Sequence, residues 1–231
     1  MLVGMGRIEP PIRDCAADRG IEVAAEFNTA TIAQLAQCDR MDAVIDFSAP
    51  ASLPALAAYV QRTGTPLVSA PPERRRSCPS MRWAATRPCG ERQLLHRRCV
   101  LKHLAAEAAA LLPDFDIEII ETHHRMKKDA PSGTAKLLLS AVNPDGTHPT
   151  VFGREGFAPR TAGEIGVHAV RGGTVAGVHT VSFFGDEEEL SLTHRAESRR
   201  IFAIGALKTA EKLKDAPVGL HTLDELLFAR R

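Results

Sequence analysis

The segment 121–135 gathers residue types that could do chemistry. Two histidines, one arginine and two lysines lie between positions 123 and 128. They are followed by a Pro-Ser-Gly-Thr turn in which Ser132 is suited to cap a helix. A helix N-terminus presents free backbone N–H groups and the positive end of the helix dipole. Together with the basic side chains, this predicts a site for an anion, and carboxylates suit it best.

The flanking sequence predicts the elements that hold this segment. Residues 115–120 alternate between polar and apolar side chains, which predicts a strand. Residues 136–142 have the composition of a helix. The basic side chains are therefore expected between the end of a strand and the start of a helix.

Other interpretations of segment 121–135 fit its spacing less well or remain open. A solvated basic loop would have the same composition and stays open. A zinc site would need ligands besides His123 and His124, but adjacent histidines in a strand point to opposite faces, and no cysteine or acidic residue has ligand spacing. A phosphate-binding loop is excluded, because Ser-Gly-Thr-Ala-Lys lacks the glycine-rich run followed by Lys and Ser or Thr.

The composition is that of ordinary folded domains. The 231 residues are 44% hydrophobic and 25% charged, which suits one or two hydrophobic cores. A formal net charge of +1 gives no electrostatic case for binding nucleic acid. No apolar run approaches the length of a membrane span, and the first residues lack a signal-peptide core, so we expect a cytoplasmic protein. An odd number of cysteines without metal-like spacing agrees with a reducing compartment.

The first residues have the pattern of a dinucleotide-binding unit. A short strand and a Gly-x-Gly turn at Gly4 and Gly6 precede a helical pattern over 12–19 and a second strand over 21–27. In such units an acidic residue after the second strand binds the adenosine ribose, and Glu26, at the end of that strand, is the first candidate, with Asn28 next. An exposed strand residue is the alternative interpretation of Glu26.

The C-terminal half predicts a second sheet. Alternating runs at 177–185 and 189–196 predict strands. Arg171, which precedes a Gly-Gly pair, either contacts substrate or only belongs to a turn. Arg125 and Asp129 are expected to pair and hold the loop. Three further histidines are expected to be sheet residues and not ligands: His168, His179 and His194.

The motif Glu-x-His-His-Arg-x-Lys-x-Asp-Ala-Pro-Ser-Gly-Thr-Ala, at 121–135, resembles the signature of the 4-hydroxy-tetrahydrodipicolinate reductase (dihydrodipicolinate reductase) family. The resemblance covers most of 21–68 and 100–227. It implies an α/β fold with an N-terminal Rossmann-like dinucleotide-binding domain. It also implies an α+β domain for substrate binding and tetramerisation, built on an open mixed sheet.

The resemblance has further implications for domains and activity. It places the nucleotide domain at 1–105 and 199–231 and the substrate domain at 106–198. It implies NAD(P)H-dependent reduction of 4-hydroxy-tetrahydrodipicolinate to tetrahydrodipicolinate, in the diaminopimelate route of lysine biosynthesis. The cofactor would be NADH or NADPH, the substrate a small cyclic dicarboxylate, and the assembly a homotetramer.

The resemblance also assigns roles to individual residues. His123 and Lys127 occupy the catalytic positions, where protons are given or taken. The substrate-binding positions are filled by His124, Ser132, Gly133 and Thr134. The expected cofactor-binding residues are Gly4, Gly6, Arg7, Ile8 and Glu26. No metal is expected.

Two departures from the family pattern fall in the nucleotide half. Glu9 stands where the last glycine of the turn belongs. Residues 69–99 contain eight arginines and lack the family's Ile-Gly-Thr-Thr-Gly and Asn-Phe-Ser-x-Gly-Val motifs. Synonymous codons would let a neighbouring reading frame encode both motifs, so a few single-nucleotide losses are our favoured hypothesis, and a divergent surface insertion is the alternative. The alternative function is an impaired family member that binds a dicarboxylate or only oligomerises.

Overall fold

In a computed structural model of the chain, residues 1–4, 9–69, 96–198, 200–219, 221 and 223–228 are described. The chain divides into two compact units, one made of Met1–His96 with Arg199–Arg231 and one made of Arg97–Ser198. Each unit has its own sheet and its own hydrophobic core. The two units are described separately below.

The first unit is built on a parallel sheet. It has four strands in the order β2-β1-β3-β4, namely β1 at Leu2–Val3, β2 at Glu26–Phe27, β3 at Val44–Asp46 and β4 at Leu67–Ser69. The second strand is shorter than the predicted 21–27. Because β1 lies between β2 and β3, the direction of winding reverses at β1. Sheets of this kind bind ligands beyond the carboxyl ends of the strands at such a reversal.

Helices connect the parallel strands of the first unit. Helix α1 (Glu9–Ala17) joins β1 to β2, and helix α2 (Leu53–Thr63) leads from β3 to β4. Pro10 and Pro11 fall in the first turn of α1, where a missing backbone N–H costs no helical hydrogen bond. Short 3₁₀ helices, Ile32–Gln37 and Pro50–Ser52, complete the connections.

The C-terminal part of the chain returns to the first unit. Helix α5 (Arg200–Lys214) contacts α1, β3 and β4, and helix α6 (Leu223–Phe228) follows it. The core of the first unit consists of buried side chains from the strands, from α2 and from the 3₁₀ helix Ile32–Gln37. It includes Val3, Phe27, Leu35, Val44, Leu56, Tyr59, Val60 and Leu67.

The second unit is built on an open mixed sheet, as predicted. Its five strands have the order β6-β7-β5-β8-β9. They are β5 at Asp116–His123, β6 at Thr150–Val151, β7 at Ile165–Arg171, β8 at Gly177–Gly185 and β9 at Glu188–Ala196. Strand β5 is central, parallel to β7 and antiparallel to β8. It continues to His123, so the first histidine of the pair closes the strand and does not belong to the loop.

One face of this second sheet is covered by helices α3 (His96–Leu111) and α4 (Gly133–Val142). Ile119 of β5 is paired with Val167 and Val181 on the neighbouring strands, and all three are buried against the helices. The period of two along a strand sends the intervening residues to the opposite, outer face. The outer face carries Glu118, Ile120, His168, Val170, Thr180, Ser182 and Phe184.

The division between the units differs from the predicted one at its first boundary. The sequence placed that boundary at residue 105, but the units separate between His96 and Arg97. The physical reason is that Leu101 and Ala105 of α3 pack into the core of the second unit. The roles of the units in binding nucleotide and substrate remain predictions at this point.

We expect Gly4→Ala to destabilise the first unit strongly. Gly4 has a φ of +106°, and a Cβ there would lie 2.6 Å from the backbone N of Ser48 and 2.7 Å from the carbonyl carbon of Phe47. Neither backbone atom can move without disturbing β3. Overpacking of this kind costs about 1–3 kcal/mol, and thermal or urea unfolding will measure it.

The matched control for this prediction is Gly20→Ala. Gly20 also has a positive φ, +66°, but nothing lies within 4 Å of a Cβ added there. Its loss of stability should be limited to the backbone strain, about 1 kcal/mol. Equal losses in the two variants would contradict the close contact assigned to Gly4.

Candidate functional site

A fully buried carboxylate, that of Glu121, is the centre of the candidate site in the second unit. One of its oxygens accepts hydrogen bonds from the backbone N–H of Ser132 at 2.9 Å and from Nη2 of Arg171 at 2.7 Å. The other oxygen accepts a hydrogen bond from Nη1 of Arg171 at 2.9 Å and is also hydrogen-bonded to Nδ1 of His123. Arg171 also donates to the carbonyl of Asp129 at 2.7 Å. The carboxylate therefore joins β5, β7 and the loop that precedes α4.

The hydrogen bonds around Glu121 keep it ionised. Burial by itself raises the pKa of this carboxyl group. The hydrogen bonds from Arg171, His123 and Ser132 outweigh burial and hold the pKa of Glu121 below its ordinary value. A buried charge is tolerated in a protein when it is paired and hydrogen-bonded in this way.

His123 occupies the last position of β5, and its side chain is buried. Burial lowers its pKa; Glu121 opposes this effect, while Lys127 and Arg171 reinforce it, and the net pKa lies below its ordinary value. His123 is therefore neutral at pH 7. Its Nε2 atom lies beside Gly177, where an added Cβ would be only 3.1 Å away.

Ser132 caps helix α4, as the sequence predicted. Its Oγ accepts a hydrogen bond from the backbone N–H of Ala135 at 3.2 Å. The same Oγ is 3.1 Å from Nε2 of His179 on β8. The ring of His179 meets the ring of His123 edge to face, with the centroids 5.0 Å apart. His179 is a sheet residue, as expected, but it also belongs to the cluster around His123.

The three residues predicted to cradle a carboxylate lie together at the start of α4. The N–H of Ser132 is already used by Glu121. The backbone N–H groups of Gly133 and Thr134, the first two residues of α4, make no hydrogen bond to any residue in the described part of the chain. These two amides are the donors that the helix start offers to an anion.

The loop between β5 and α4 carries the remaining predicted residues. Lys127 is half-buried and ion-paired with Asp129, and His124, directly after β5, is also half-buried. Burial raises the pKa of Asp129, but the hydrogen bond from Lys127 outweighs it, so the pKa of Asp129 lies below its ordinary value. The expected pairing of Arg125 with Asp129 is wrong. Arg125 is exposed and holds the loop through its backbone N–H, which donates to Gly173 at 3.1 Å.

The predicted cofactor-binding residues are described only in part. Gly4 lies at the carboxyl end of β1, against the backbone after β3. Glu26 begins β2 and is ion-paired with Arg13 of α1. Gly6, Arg7 and Ile8 lie outside the described residues, and so does most of 69–99. The hypothesis of a shifted reading frame concerns this second segment and therefore also lies outside the described residues.

In the described part of the chain, no group of three or more His, Cys, Asp or Glu side chains is arranged to hold a metal ion. His123 and His124 do not converge with a third ligand there. His123 is instead committed to Glu121.

Sequence reasoning missed how three residues reach the site. Glu121 was treated as part of a motif without a role, yet it makes the central contacts. Arg171 was left open between a substrate contact and a turn residue, and His179 was expected to be only structural. The alternation of β8 placed His179 on one face together with Val181 and Phe183, which was the available signal for its inward position.

Comparison with known proteins decides the family. The family model for "Dihydrodipicolinate reductase, C-terminus" matches residues 99–227. A 4-hydroxy-tetrahydrodipicolinate reductase from Exiguobacterium sp. is 38% identical over an alignment that covers 96% of this chain and 91% of that protein. The chain belongs to the 4-hydroxy-tetrahydrodipicolinate reductase family. Its resemblance at 121–135 is thereby confirmed.

Other comparisons with the reductase family agree. The reductase from Methanococcoides burtonii is 51% identical, over 52% of this chain and 46% of that protein, so that alignment spans about half of the relative's length. A dipicolinate-bound dihydrodipicolinate reductase from Paenisporosarcina sp. TG-14 has the same fold, with a TM-score of 0.69 over 96% of both chains at 17% identity. The predicted combination of a Rossmann-like unit and a second unit with a mixed sheet is confirmed.

We expect this chain to lose stability as the pH falls below about 6.5. An unfolded histidine binds a proton near its ordinary pKa of 6.5, whereas folded His123 binds one only at a lower pH. The unfolded chain therefore binds more protons in this window, so the free energy of unfolding decreases with falling pH. Glu121 continues the decrease below its ordinary pKa of 4.5, since its folded pKa is lower still.

Urea unfolding at a series of pH values will measure this dependence. In His123→Gln the decrease between pH 6.5 and pH 5 should be smaller than in the unmodified chain. His148→Gln, a replacement of an exposed histidine, is the control. An equal slope in the His123 variant and the unmodified chain would rule out His123 as the source.

Proposed function

We propose that this chain reduces 4-hydroxy-tetrahydrodipicolinate to tetrahydrodipicolinate with NADH or NADPH, as a step in lysine biosynthesis through diaminopimelate. The observation that carries the proposal is the clustering of His123 and the start of α4 around one buried carboxylate, with Lys127 close enough to His123 to lower its pKa. Family membership supports the same reaction. The bound dipicolinate of the Paenisporosarcina protein supports a small cyclic dicarboxylate as ligand.

The substrate-binding part of the proposal rests on complementary charge. The amides of Gly133 and Thr134, which have no hydrogen-bond partner among the described residues, lie at the positive end of α4, and this end of a helix favours a carboxylate. His124 and Lys127, both half-buried in the loop just before α4, add cationic or hydrogen-bonding groups. Ser132 serves indirectly, because its hydroxyl and its N–H hold α4 in place.

The proton-transfer part of the proposal rests on His123 and Lys127. The neutral, buried imidazole of His123 can take or return a proton at Nε2, which lies beside Gly177. The ammonium group of Lys127 is held by Asp129 within the same loop and can give a proton to the carbon that becomes carbanion-like. In this proposal the neutral imidazole of His123 accepts a proton and the ammonium group of Lys127 donates one.

The first unit fits a nicotinamide dinucleotide as far as it is described. Gly4 brings the end of β1 against the backbone of Phe47 and Ser48, at the reversal point where such sheets bind nucleotides. Gly4 and Glu26, with Gly6, Arg7 and Ile8, would hold the cofactor. The reduced nicotinamide supplies the hydride when it is bound.

Assembly and location complete the proposal. We place the homotetramer contact on the outer face of the second sheet, where Ile120, Val170 and Phe184 are exposed apolar residues. A cytoplasmic location agrees with the reduced thiols of Cys15 and Cys38. None of the described helices combines the length and apolar character needed to cross a bilayer.

The direct test is an assay of the purified chain. Enzymatically formed 4-hydroxy-tetrahydrodipicolinate should cause oxidation of NADH or NADPH, followed at 340 nm in absorbance, and mass spectrometry should detect tetrahydrodipicolinate. Comparing the two nucleotides will establish which one is used. Oxidation no faster than in the absence of protein, with either nucleotide, would refute the proposed activity.

We expect Lys127→Ala to reduce kcat by about 10²–10⁴-fold, which is the usual contribution of a positioned proton donor. Stability should change little, because the half-exposed pair of Lys127 with Asp129 is worth about 0–1 kcal/mol. Lys128→Ala is the matched control, since Lys128 is the exposed neighbour of Lys127. A similar loss of kcat in both variants would indicate a general charge effect instead of proton donation.

A further inference from the structure

We propose that Glu121 is a positioning residue that holds His123 in the tautomer with the proton on Nδ1, so that the lone pair of Nε2 is available for proton transfer. The inference rests on the proposed function for its catalytic consequence. The tautomer itself is a property of the folded chain and can be measured without substrate.

The first step concerns the hydrogen-bonding capacity of Glu121. An ionised carboxylate only accepts hydrogen bonds, and it has about four acceptor sites. Ser132 and Arg171 donate hydrogen bonds to three of these sites. A backbone N–H and a guanidinium group can only donate hydrogen bonds, so the direction of these three bonds is fixed. The contact with Nδ1 of His123 must therefore be a hydrogen bond that the imidazole donates.

The second step concerns the other nitrogen of the ring. A neutral imidazole carries one proton, so a proton on Nδ1 leaves Nε2 as an acceptor. Nε2 lies beside Gly177, where an added Cβ would be only 3.1 Å away, so a larger residue at that position would crowd this nitrogen. Glu121 thus fixes both the orientation of the ring and the nitrogen that exchanges the proton.

The surroundings of His123 determine how its protonation responds to this contact. Charged or titratable groups face it from four elements: Glu121 on β5, Arg171 on β7, His179 on β8, and Lys127 with Asp129 in the loop. The residue that links it to α4, Ser132, does not titrate. Glu121 is the anion that contacts the ring directly, and it favours the protonated imidazole, whereas Lys127 and Arg171 disfavour it.

A second glutamate on β5 provides an internal comparison. Glu118 accepts from Nε2 of His168 at 2.7 Å and is also bonded to Arg154 and Arg160. It lies on the outer face of the sheet, on the side opposite to Glu121. The two clusters have the same chemistry, but only Glu121 contacts a residue at the start of α4. Glu118→Gln is therefore a matched control for Glu121→Gln.

The first measurement uses the unmodified chain. Two-bond ¹H–¹⁵N NMR correlations of the histidine rings distinguish the tautomers, and His123→Gln assigns the signals of His123. At neutral pH we expect Nδ1 to carry the proton. A proton on Nε2 would overturn the inference, and this measurement needs neither activity nor a folded Glu121 variant.

The second measurement uses Glu121→Gln. The amide oxygen is expected to keep the contacts with Ser132 and Nη2 of Arg171, which places the amide NH₂ against Nδ1 of His123. The ring should then carry its proton on Nε2. We expect kcat to fall by about 10²–10⁴-fold, as when a proton-accepting histidine is held in the wrong tautomer.

The pH profile separates positioning from a merely structural effect. Because Glu121 favours the protonated ring, its replacement should move the acid limb of the kcat/KM profile to lower pH. Glu118→Gln should leave the pH profile in place, because Glu118 contacts His168 and not His123. An unchanged tautomer in Glu121→Gln, or a loss of kcat with an unshifted profile, would overturn the inference. If the unmodified chain oxidises neither nucleotide, the proposed function fails and the tautomer measurements still decide the role of Glu121.

Discussion

The site depends on the burial of one negative charge. Removing a carboxylate from water costs several kcal/mol unless its acceptor sites are filled, and Glu121 meets this condition only when three separate parts of the chain are correctly placed. Arg171 must extend from β7, Ser132 must stand at the start of α4, and His123 must end β5. The same contacts that make the charge tolerable therefore fix the geometry of the reactive residues. Loss of any one of these partners would leave the buried charge of Glu121 incompletely compensated.

This constraint explains why the site is divided between rigid and adjustable elements. His123 is carried by the central strand of the second sheet, which has hydrogen-bonded neighbours on both sides. Lys127 is carried by the loop, where it is held by a half-exposed ion pair with Asp129. The side chain of fixed orientation thus lies on a strand, and the side chain that we propose as the proton donor lies on a loop. Residues supported by packed elements are positioned more accurately than residues in loops.

The sequence predicted what depends on local pattern and missed what depends on register. Alternation and capping chemistry located β5, β8 and β9 and identified Ser132 as the cap of α4. The contact between Glu121 and Arg171 joins residues that are 50 positions apart and follows from the parallel pairing of β5 with β7. No local rule gives that register. The compact units separate between His96 and Arg97 and not at residue 105 for a similar reason, because tertiary contacts decide which core Leu101 and Ala105 of α3 join.

Two carboxylates on one strand show what distinguishes a supporting cluster from a reactive one. Glu118 and Glu121 both bind a histidine and at least one arginine, so neither composition nor charge separates them. Glu118 contacts Nε2 of His168, and it also forms ion pairs with Arg154 and Arg160 on the outer face of the sheet. Glu121 engages His123 through Nδ1, and Nε2 then faces a glycine. Because proton transfer needs an uncovered lone pair on a ring of fixed orientation, the nitrogen that the carboxylate selects determines whether the histidine can react.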